Sequence, residues 1–193
     1  MTIIGLTGSL AMGKSTAASM LHDLGWFVHD ADKTVHRLYQ KGGAAVAVLA
    51  ELVPQAIYNG AIDRSRLTIL LREQPDLLPK LEETVHRLVS QDRQIWVKRC
   101  RRQGISRLVF EVPLLFETGL DRHCDAVFLV SAPGFVQQRR ALQRKGMNPQ
   151  KLEFLLKRQM PEVQKRRRAD FIIRSGAGKA RMRSSLVSAV AQL

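Results

Sequence analysis

The stretch from Ile3 to Thr16 carries the side chains of this chain best suited to phosphate chemistry. Gly8 and Gly13 have four residues between them, and Lys14 and Ser15 follow directly, which is a phosphate-binding loop pattern. The glycines permit a tight turn that brings backbone N–H groups up to phosphate oxygens, and a following helix adds partial positive charge. Lys14 is expected to reach the β- and γ-phosphates, and Ser15 to ligate Mg²⁺. The chain is therefore predicted to bind a nucleoside triphosphate.

A second candidate is Asp32, in the segment His-Asp-Ala-Asp that ends the second predicted strand. Ligand contacts in α/β sheets gather where the strands end. Phosphoryl transfer to a hydroxyl is assisted by a group that accepts the hydroxyl proton, and a carboxylate can do so. Asp is also a good N-cap for the helix predicted to follow. The local sequence leaves both roles open.

A third group consists of Gln137, Arg140 and Arg144. The two arginines are four residues apart on a predicted helix and are expected to share one face. Two guanidinium groups held in this way grip transferring phosphates and neutralise charge in the transition state. In small nucleotide kinases such arginines lie on a lid that closes and expels water. The alternative is an exposed basic helix, and the phosphate-loop pattern favours the lid.

Further candidates follow the third predicted strand and lie on a long predicted helix. Glu111 ends the strand and is a candidate to help hold Mg²⁺, unless it or Glu117 pairs with a neighbouring arginine. Pro113 and Leu114, next along the chain, are candidates for a substrate-pocket wall or for the core. His86 is a candidate substrate contact, although a helix-surface histidine is the commoner case.

Alternating segments predict the elements that must position these residues. Strands are expected near 2–7, 26–29, 107–112, 126–131 and 170–174. Helices are expected near 14–24, 32–40, 43–53, 64–72, 75–103, 134–145, 149–160 and 178–192. Strands separated by helices indicate an α/β fold with a parallel sheet covered on both faces.

The predicted elements suggest a single domain over residues 1–193 with two insertions. The interval 33–103 contains no convincing strand and is predicted to be a helical insertion, while about 135–168 is predicted to be a small lid. The core then consists of residues 1–32, 104–134 and 169–193.

The net charge of +14 comes entirely from the second half of the chain. Up to Trp96 there are 10 Lys/Arg and 10 Asp/Glu, and from Val97 onward there are 21 and 7. Such an excess attracts anions, and polyphosphate substrates, nucleic acid and acidic lipid all qualify. We find no signal peptide, no apolar run near the roughly 18 residues of a membrane span, and no metal or redox spacing of Cys100 and Cys124. We therefore expect a cytoplasmic protein without membrane association, and a monomer.

Several blocks, in order along the chain, resemble the dephospho-coenzyme A kinase family. The block Asp-Ala-Asp at 30–32 and the block Val-Pro-Leu-Leu-Phe-Glu at 112–117 are together much more specific than the phosphate loop alone. The resemblance spans nearly the whole chain and rests on residues 5–16, 30–38, 62–64 with Leu67, 81–82 with His86, 112–120, Gln137 with Arg140 and Arg144, Gln159, and 169–173.

The resemblance implies a parallel-sheet core of the P-loop NTPase type and ATP-dependent phosphorylation of the ribose 3′-hydroxyl of dephospho-coenzyme A, the last step of coenzyme A synthesis. It implies that Asp32 is the general base, that Arg140 and Arg144 belong to the lid, and that the insertion containing His86 binds the acceptor. The loop residues implied to hold ATP are Gly8, Ala11, Met12, Gly13, Lys14, Ser15 and Thr16.

The chain departs from the family pattern at several positions. Ser9 and Ala11 stand where the family loop usually has glycine, and a left-handed residue there costs roughly 1 kcal/mol or more with a side chain. We therefore expect weakened nucleotide affinity. Arg87 replaces a usual proline, Glu111 a common aspartate, and Arg174 a usual polar or acidic residue.

Two other functions remain as alternatives. A nucleic-acid-binding P-loop NTPase would use the basic half as its footprint, but we find no reading helix, aromatic stacking platform or zinc spacing, and expect no specific nucleic-acid partner. Another small-molecule kinase would share the phosphate loop and is opposed mainly by the later family blocks.

Overall fold

The computed structural model describes all 193 residues and contains seven strands and nine α-helices. The strands are β1 (Thr2–Thr7), β2 (Phe27–Asp30), β3 (Ile57–Tyr58), β4 (Ala61–Ile62), β5 (Arg107–Glu111), β6 (Ala126–Ser131) and β7 (Phe171–Arg174). The helices are α1 (Lys14–Asp23), α2 (Ala31–Tyr39), α3 (Ala44–Leu52), α4 (Arg64–Glu73), α5 (Leu77–Arg102), α6 (Gly134–Leu142), α7 (Pro149–Lys157), α8 (Glu162–Arg168) and α9 (Lys179–Val190). The chain forms two compact units, the first of residues 1–29 with 104–193 and the second of residues 30–103.

The first unit is organised around a five-stranded sheet with the strand order β2-β5-β1-β6-β7. Strand β1 lies in the centre and pairs in parallel with both β5 and β6, and β6 pairs in parallel with β7. A central parallel strand is covered on both faces, which explains why its sequence is a continuous apolar run rather than an alternating one. The predicted α/β fold with a parallel sheet is confirmed.

The core of the first unit fixes the strand and the helix on either side of the phosphate loop. Ile4 and Leu6 of β1 are fully buried in one cluster with Leu21 of α1 and Leu186 of α9. Burial of a side chain of this size contributes about 1.5–3 kcal/mol. The loop from Gly8 to Gly13 therefore connects β1 and α1, which are both packed in the core.

The second unit is mainly helical. Its longest helix, α5, buries the stripe Leu81, Val85 and Val89, whose i, i+4 spacing places them on one face, and α5 packs against α2 and α3. Helix α4 begins at an N-cap aspartate, Asp63, which accepts backbone N–H groups at 2.8 and 3.0 Å. These hydrogen bonds hold the pKa of the Asp63 carboxyl below its usual range.

The expectation that residues 33–103 contain no strand is wrong at a short hairpin. Strands β3 and β4 pair antiparallel, with Ile57 opposite Ile62. The two residues between the strands, Asn59 and Gly60, have φ angles of 50° and 75°. Both central residues of a type I′ turn need a positive φ, and Asn-Gly is the sequence that favours it most. That pair is the sequence signal for the hairpin.

In residues 135–168, the predicted lid, the helices differ in their ends and number from the prediction. Helix α6 ends at Leu142 rather than near residue 145, and α7 ends at Lys157 rather than near residue 160. A third helix, α8, follows Pro161 and was not predicted. None of the helices combines the length and the apolar character that a membrane crossing needs.

Candidate active site

The phosphate loop connects β1 to α1 and contains two glycines that are required for different reasons. Gly13, the N-cap of α1, is left-handed, with a φ of 92°. At Gly8 the limit is space, because a Cβ there would lie 2.6 Å from the backbone oxygen of Val130 on β6. The first N–H groups of a helix have no intrahelical partner, so the start of α1 offers donors to an anion.

Lys14, Ser15 and Glu111 come together at the start of α1. Both the Nζ of Lys14 and the Oγ of Ser15 donate to the Oε1 of Glu111, each at 3.0 Å. The Glu111 side chain is only 4% exposed, and that of Lys14 12%. The pattern could not say whether Glu111 faces the loop or pairs with an arginine; its partner is the loop lysine. A buried carboxylate thus orients both the cationic and the hydroxyl group of the phosphate loop.

The two positions where glycine is replaced behave differently. Ala11 is left-handed with a φ of 61°, whereas Ser9 is not among the residues with a positive φ. The predicted strain is therefore confirmed for Ala11 and wrong for Ser9. The left-handed conformation costs a residue with a Cβ about 1–2 kcal/mol. The Ala11 methyl packs with Ala141 of α6 and Leu152 of α7, and burial of one carbon recovers about 0.8 kcal/mol.

Arg140 reaches the phosphate loop through Ser175. Its Nη1 donates to the Oγ of Ser175 at 3.1 Å and its Nη2 to the Ser175 carbonyl at 2.9 Å. The same hydroxyl donates to the carbonyl of Met12 at 2.5 Å. A Cβ built on Gly13 would lie 3.6 Å from Nη1 of Arg140. The guanidinium is therefore held beside the loop by both prongs of its fork.

The remaining predicted residues take several positions. Gln137 is buried and donates to the Leu10 carbonyl at 2.9 Å. Arg144 is exposed and lies two residues beyond the end of α6, so the expectation that it shares a helix face with Arg140 is wrong.

Pro113 and Leu114 are half-buried in the turn after β5, and the Pro113 carbonyl accepts from Thr7 at 3.3 Å.

In the second unit the structure separates the two roles considered for Asp32. The N-cap of α2 is Asp30, whose Oδ1 accepts the backbone N–H of Lys33 at 3.0 Å. Asp32 is the second residue of the helix and is exposed, so it is not the cap. His86 is exposed on α5, next to the buried Val85.

Sequence reasoning missed two polar groups of the first unit. Ser175 gave no signal, because a single serine after a strand belongs to no pattern. Lys165 is fully buried, and its Nζ lies 3.2 Å from Oε1 of Glu117, which also accepts the backbone N–H of Met160. The sequence pattern allows an arginine as the partner of Glu117, and in the structure the partner is Lys165. Lys165 is the first of four consecutive basic residues, 165–168, so the sequence alone does not distinguish it from exposed charges.

We expect Gly8→Ala to destabilise the protein and to weaken ATP binding. The new Cβ would meet a backbone oxygen of β6, which cannot move aside as a side chain does, and overpacking of this kind costs about 1–3 kcal/mol. Chemical unfolding and calorimetric titration with ATP measure the two effects. Gly134→Ala is the control, because beyond its chain neighbours and its own helix backbone no atom lies within 4 Å of the added Cβ. Equal stability of the two variants would contradict this account of the loop.

A parallel sheet, a glycine loop leading into a helix, and an adjacent lysine, hydroxyl and carboxylate define a P-loop nucleotide-binding fold and site. The family model of dephospho-CoA kinase matches residues 2–180. A dephospho-CoA kinase of Paramagnetospirillum magneticum is 47% identical over 86% of this chain and 78% of its own length. One of Mesorhizobium japonicum is 40% identical over 100% of this chain and 97% of its own length. The chain belongs to the dephospho-CoA kinase family and is a phosphotransferase with an alcohol group as acceptor.

Solved structures share the fold of this chain. A Thermus thermophilus protein superimposes with a TM-score of 0.84 at 31% identity, covering 99% of this chain and 96% of that one. A dephospho-CoA kinase from Campylobacter jejuni has a TM-score of 0.71 at 23% identity, covering 98% and 96%, and supports the fold. The family resemblance and the P-loop kinase fold predicted from the sequence are confirmed.

Proposed function

We propose that this protein transfers the γ-phosphate of ATP to the 3′-hydroxyl of the ribose of dephospho-coenzyme A, giving coenzyme A. The observation that carries the proposal is the Lys14–Glu111–Ser15 cluster, at the helix N-terminus of a chain that matches this family over residues 2–180. Each side chain of the cluster has a task in phosphoryl transfer, and the family supplies the acceptor.

ATP binds along the loop from Gly8 to Thr16 in this proposal. Backbone N–H groups at the start of α1 hold the phosphates, and the left-handed Gly13 lets the chain turn tightly around them. Lys14 swings from Glu111 to the β- and γ-phosphates, so its charge is oriented before the nucleotide arrives.

The residues present fit a magnesium ion. Mg²⁺ prefers oxygen ligands and is typically held by one or two carboxylates with substrate phosphates and waters. The hydroxyl of Ser15 and the carboxylate of Glu111 provide two neighbouring oxygen atoms, 3.0 Å apart. No group of three or more His, Cys, Asp or Glu residues is placed to hold a metal, so the phosphates and water would supply the other ligands. When bound, the ion neutralises charge on the phosphate oxygens.

The acceptor side is assigned to the second unit. We propose that Asp32 accepts the proton of the 3′-hydroxyl as this oxygen attacks the γ-phosphorus and ADP leaves. The exposure of Asp32 and the presence of a different cap residue, Asp30, support a role in chemistry. The helical region containing His86 binds dephospho-coenzyme A. In the first unit, Pro113 and Leu114 are proposed as substrate contacts after β5.

Residues 135–168 act as a lid in this proposal. Arg140 is already held beside the loop by Ser175, so its guanidinium is positioned to stabilise charge on the transferring phosphate. Arg144 is exposed and would join the phosphates as the lid closes.

A coupled assay of ADP formation tests the function. With millimolar Mg²⁺ we expect rapid turnover that requires dephospho-coenzyme A, and little turnover with ATP alone, with shikimate or with single-stranded DNA. Turnover stimulated by DNA and independent of dephospho-coenzyme A would instead favour a nucleic-acid-dependent NTPase.

We also propose a cytoplasmic location and a monomeric state. Both cysteines are free thiols, as is usual for proteins of a reducing compartment. Light scattering of the purified protein, with and without ATP, tests the monomer.

A further inference from the structure

Two glutamine side chains of the lid segment hold one residue of the phosphate loop from both sides. The N–H of Leu10 donates to the Oε1 of Gln159 at 3.2 Å. The C=O of the same residue accepts from the Nε2 of Gln137 at 2.9 Å. Gln137 lies on α6, and Gln159 lies between α7 and α8. Both peptide groups of Leu10 are thus satisfied by side chains that the proposed chemistry does not use.

The residue held in this way directly precedes the strained one. Ala11 is left-handed with a φ of 61°, and a residue with a Cβ keeps this conformation only where its surroundings impose it. Leu10 is fixed on one side of Ala11 by the two glutamines, and Met12 is fixed on the other by Ser175. The hydrogen bonds therefore fix the two residues that flank the strained Ala11.

We propose that Gln137 and Gln159 are positioning residues for ATP binding. By clamping Leu10 they keep Ala11 left-handed, so that the loop approaches α1 in the conformation that exposes its N–H groups to phosphate. In this chain the clamp also opposes the steric penalty of a left-handed alanine, which glycine does not have. This inference rests on the proposed use of ATP, which wild-type turnover tests separately.

The experiment measures the dissociation constant of ATP by calorimetric titration in the presence of Mg²⁺ and the absence of acceptor. We expect Gln137→Ala and Gln159→Ala each to raise the dissociation constant of ATP about 3- to 10-fold, because each substitution removes one hydrogen bond. Gln138→Ala is the matched control, because Gln138 is the exposed neighbour of Gln137 on the same helix. The KM for the acceptor should change little, and the KM for ATP should rise.

The role in holding Ala11 is tested by combining each glutamine substitution with Ala11→Gly. Glycine removes the left-handed penalty, so we expect the substitutions to weaken ATP binding less in the Ala11→Gly protein than in the wild type. Thermal unfolding of every variant checks folding, and Gln159→Ala, at a half-buried connection, keeps the test valid if Gln137→Ala unfolds. The proposal is overturned if Gln159→Ala binds ATP as Gln138→Ala does, or if its effect is unchanged by Ala11→Gly.

Discussion

Replacement of Asp32 by Asn is expected to lower kcat by roughly 10²- to 10⁴-fold, the usual contribution of a general base. The amide has nearly the shape of the carboxylate but does not accept the proton of the attacking hydroxyl. Asp32 is exposed and does not cap α2, so the helix should remain folded. The KM for ATP should stay near its wild-type value, because the loop residues that bind ATP are unchanged. Steady-state kinetics with both substrates measures these constants.

Asp30→Asn is the matched control for this prediction. Asp30 caps α2 through its side-chain oxygen, and Asn caps a helix about as well as Asp. The control should therefore keep most of the wild-type kcat. If Asp32→Asn retains the kcat of the control, Asp32 is not the base.

Replacement of Arg140 by Ala is expected to lower kcat by about 10³-fold or more, the effect of an arginine that stabilises transition-state charge in phosphoryl transfer. Arg140→Lys should restore only part of the activity, because an ammonium group lacks the planar fork that now contacts the Ser175 hydroxyl and carbonyl together. Single-turnover rates with saturating ATP measure the chemical step directly.

Arg139→Ala provides the control on the same helix, since Arg139 is an exposed neighbour of equal charge. Loss of one surface charge should leave the single-turnover rate close to that of the wild type. Equal rates in the Arg139 and Arg140 variants would contradict a specific role for Arg140.

Local patterns predicted the parts of the site that one segment defines. The phosphate loop, its strand and its helix are contiguous, so residues 3–16 predicted them together. The parallel sheet followed from apolar runs separated by helices, as β1 and β6 illustrate. The Asn59–Gly60 turn is equally local, and its positive φ angles are those that an Asn-Gly pair favours.

Contacts between distant segments could not be predicted from the sequence. Glu111 meets Lys14 across 97 positions, and Ser175 meets Met12 across 163. No spacing rule connects such residues, because the sheet order brings them together. Lys165 illustrates the same limit, since burial of one charge among four depends on which side of α8 faces β6.

The most direct test of the central claim follows the transferred phosphate. The protein is incubated with ATP labelled in the γ-phosphate, Mg²⁺ and dephospho-coenzyme A, and the products are separated and identified by mass spectrometry and phosphorus NMR. The account predicts that the label appears in coenzyme A as a 3′-phosphate, in an amount equal to the ADP formed. Label recovered as inorganic phosphate, with dephospho-coenzyme A unchanged, would contradict it.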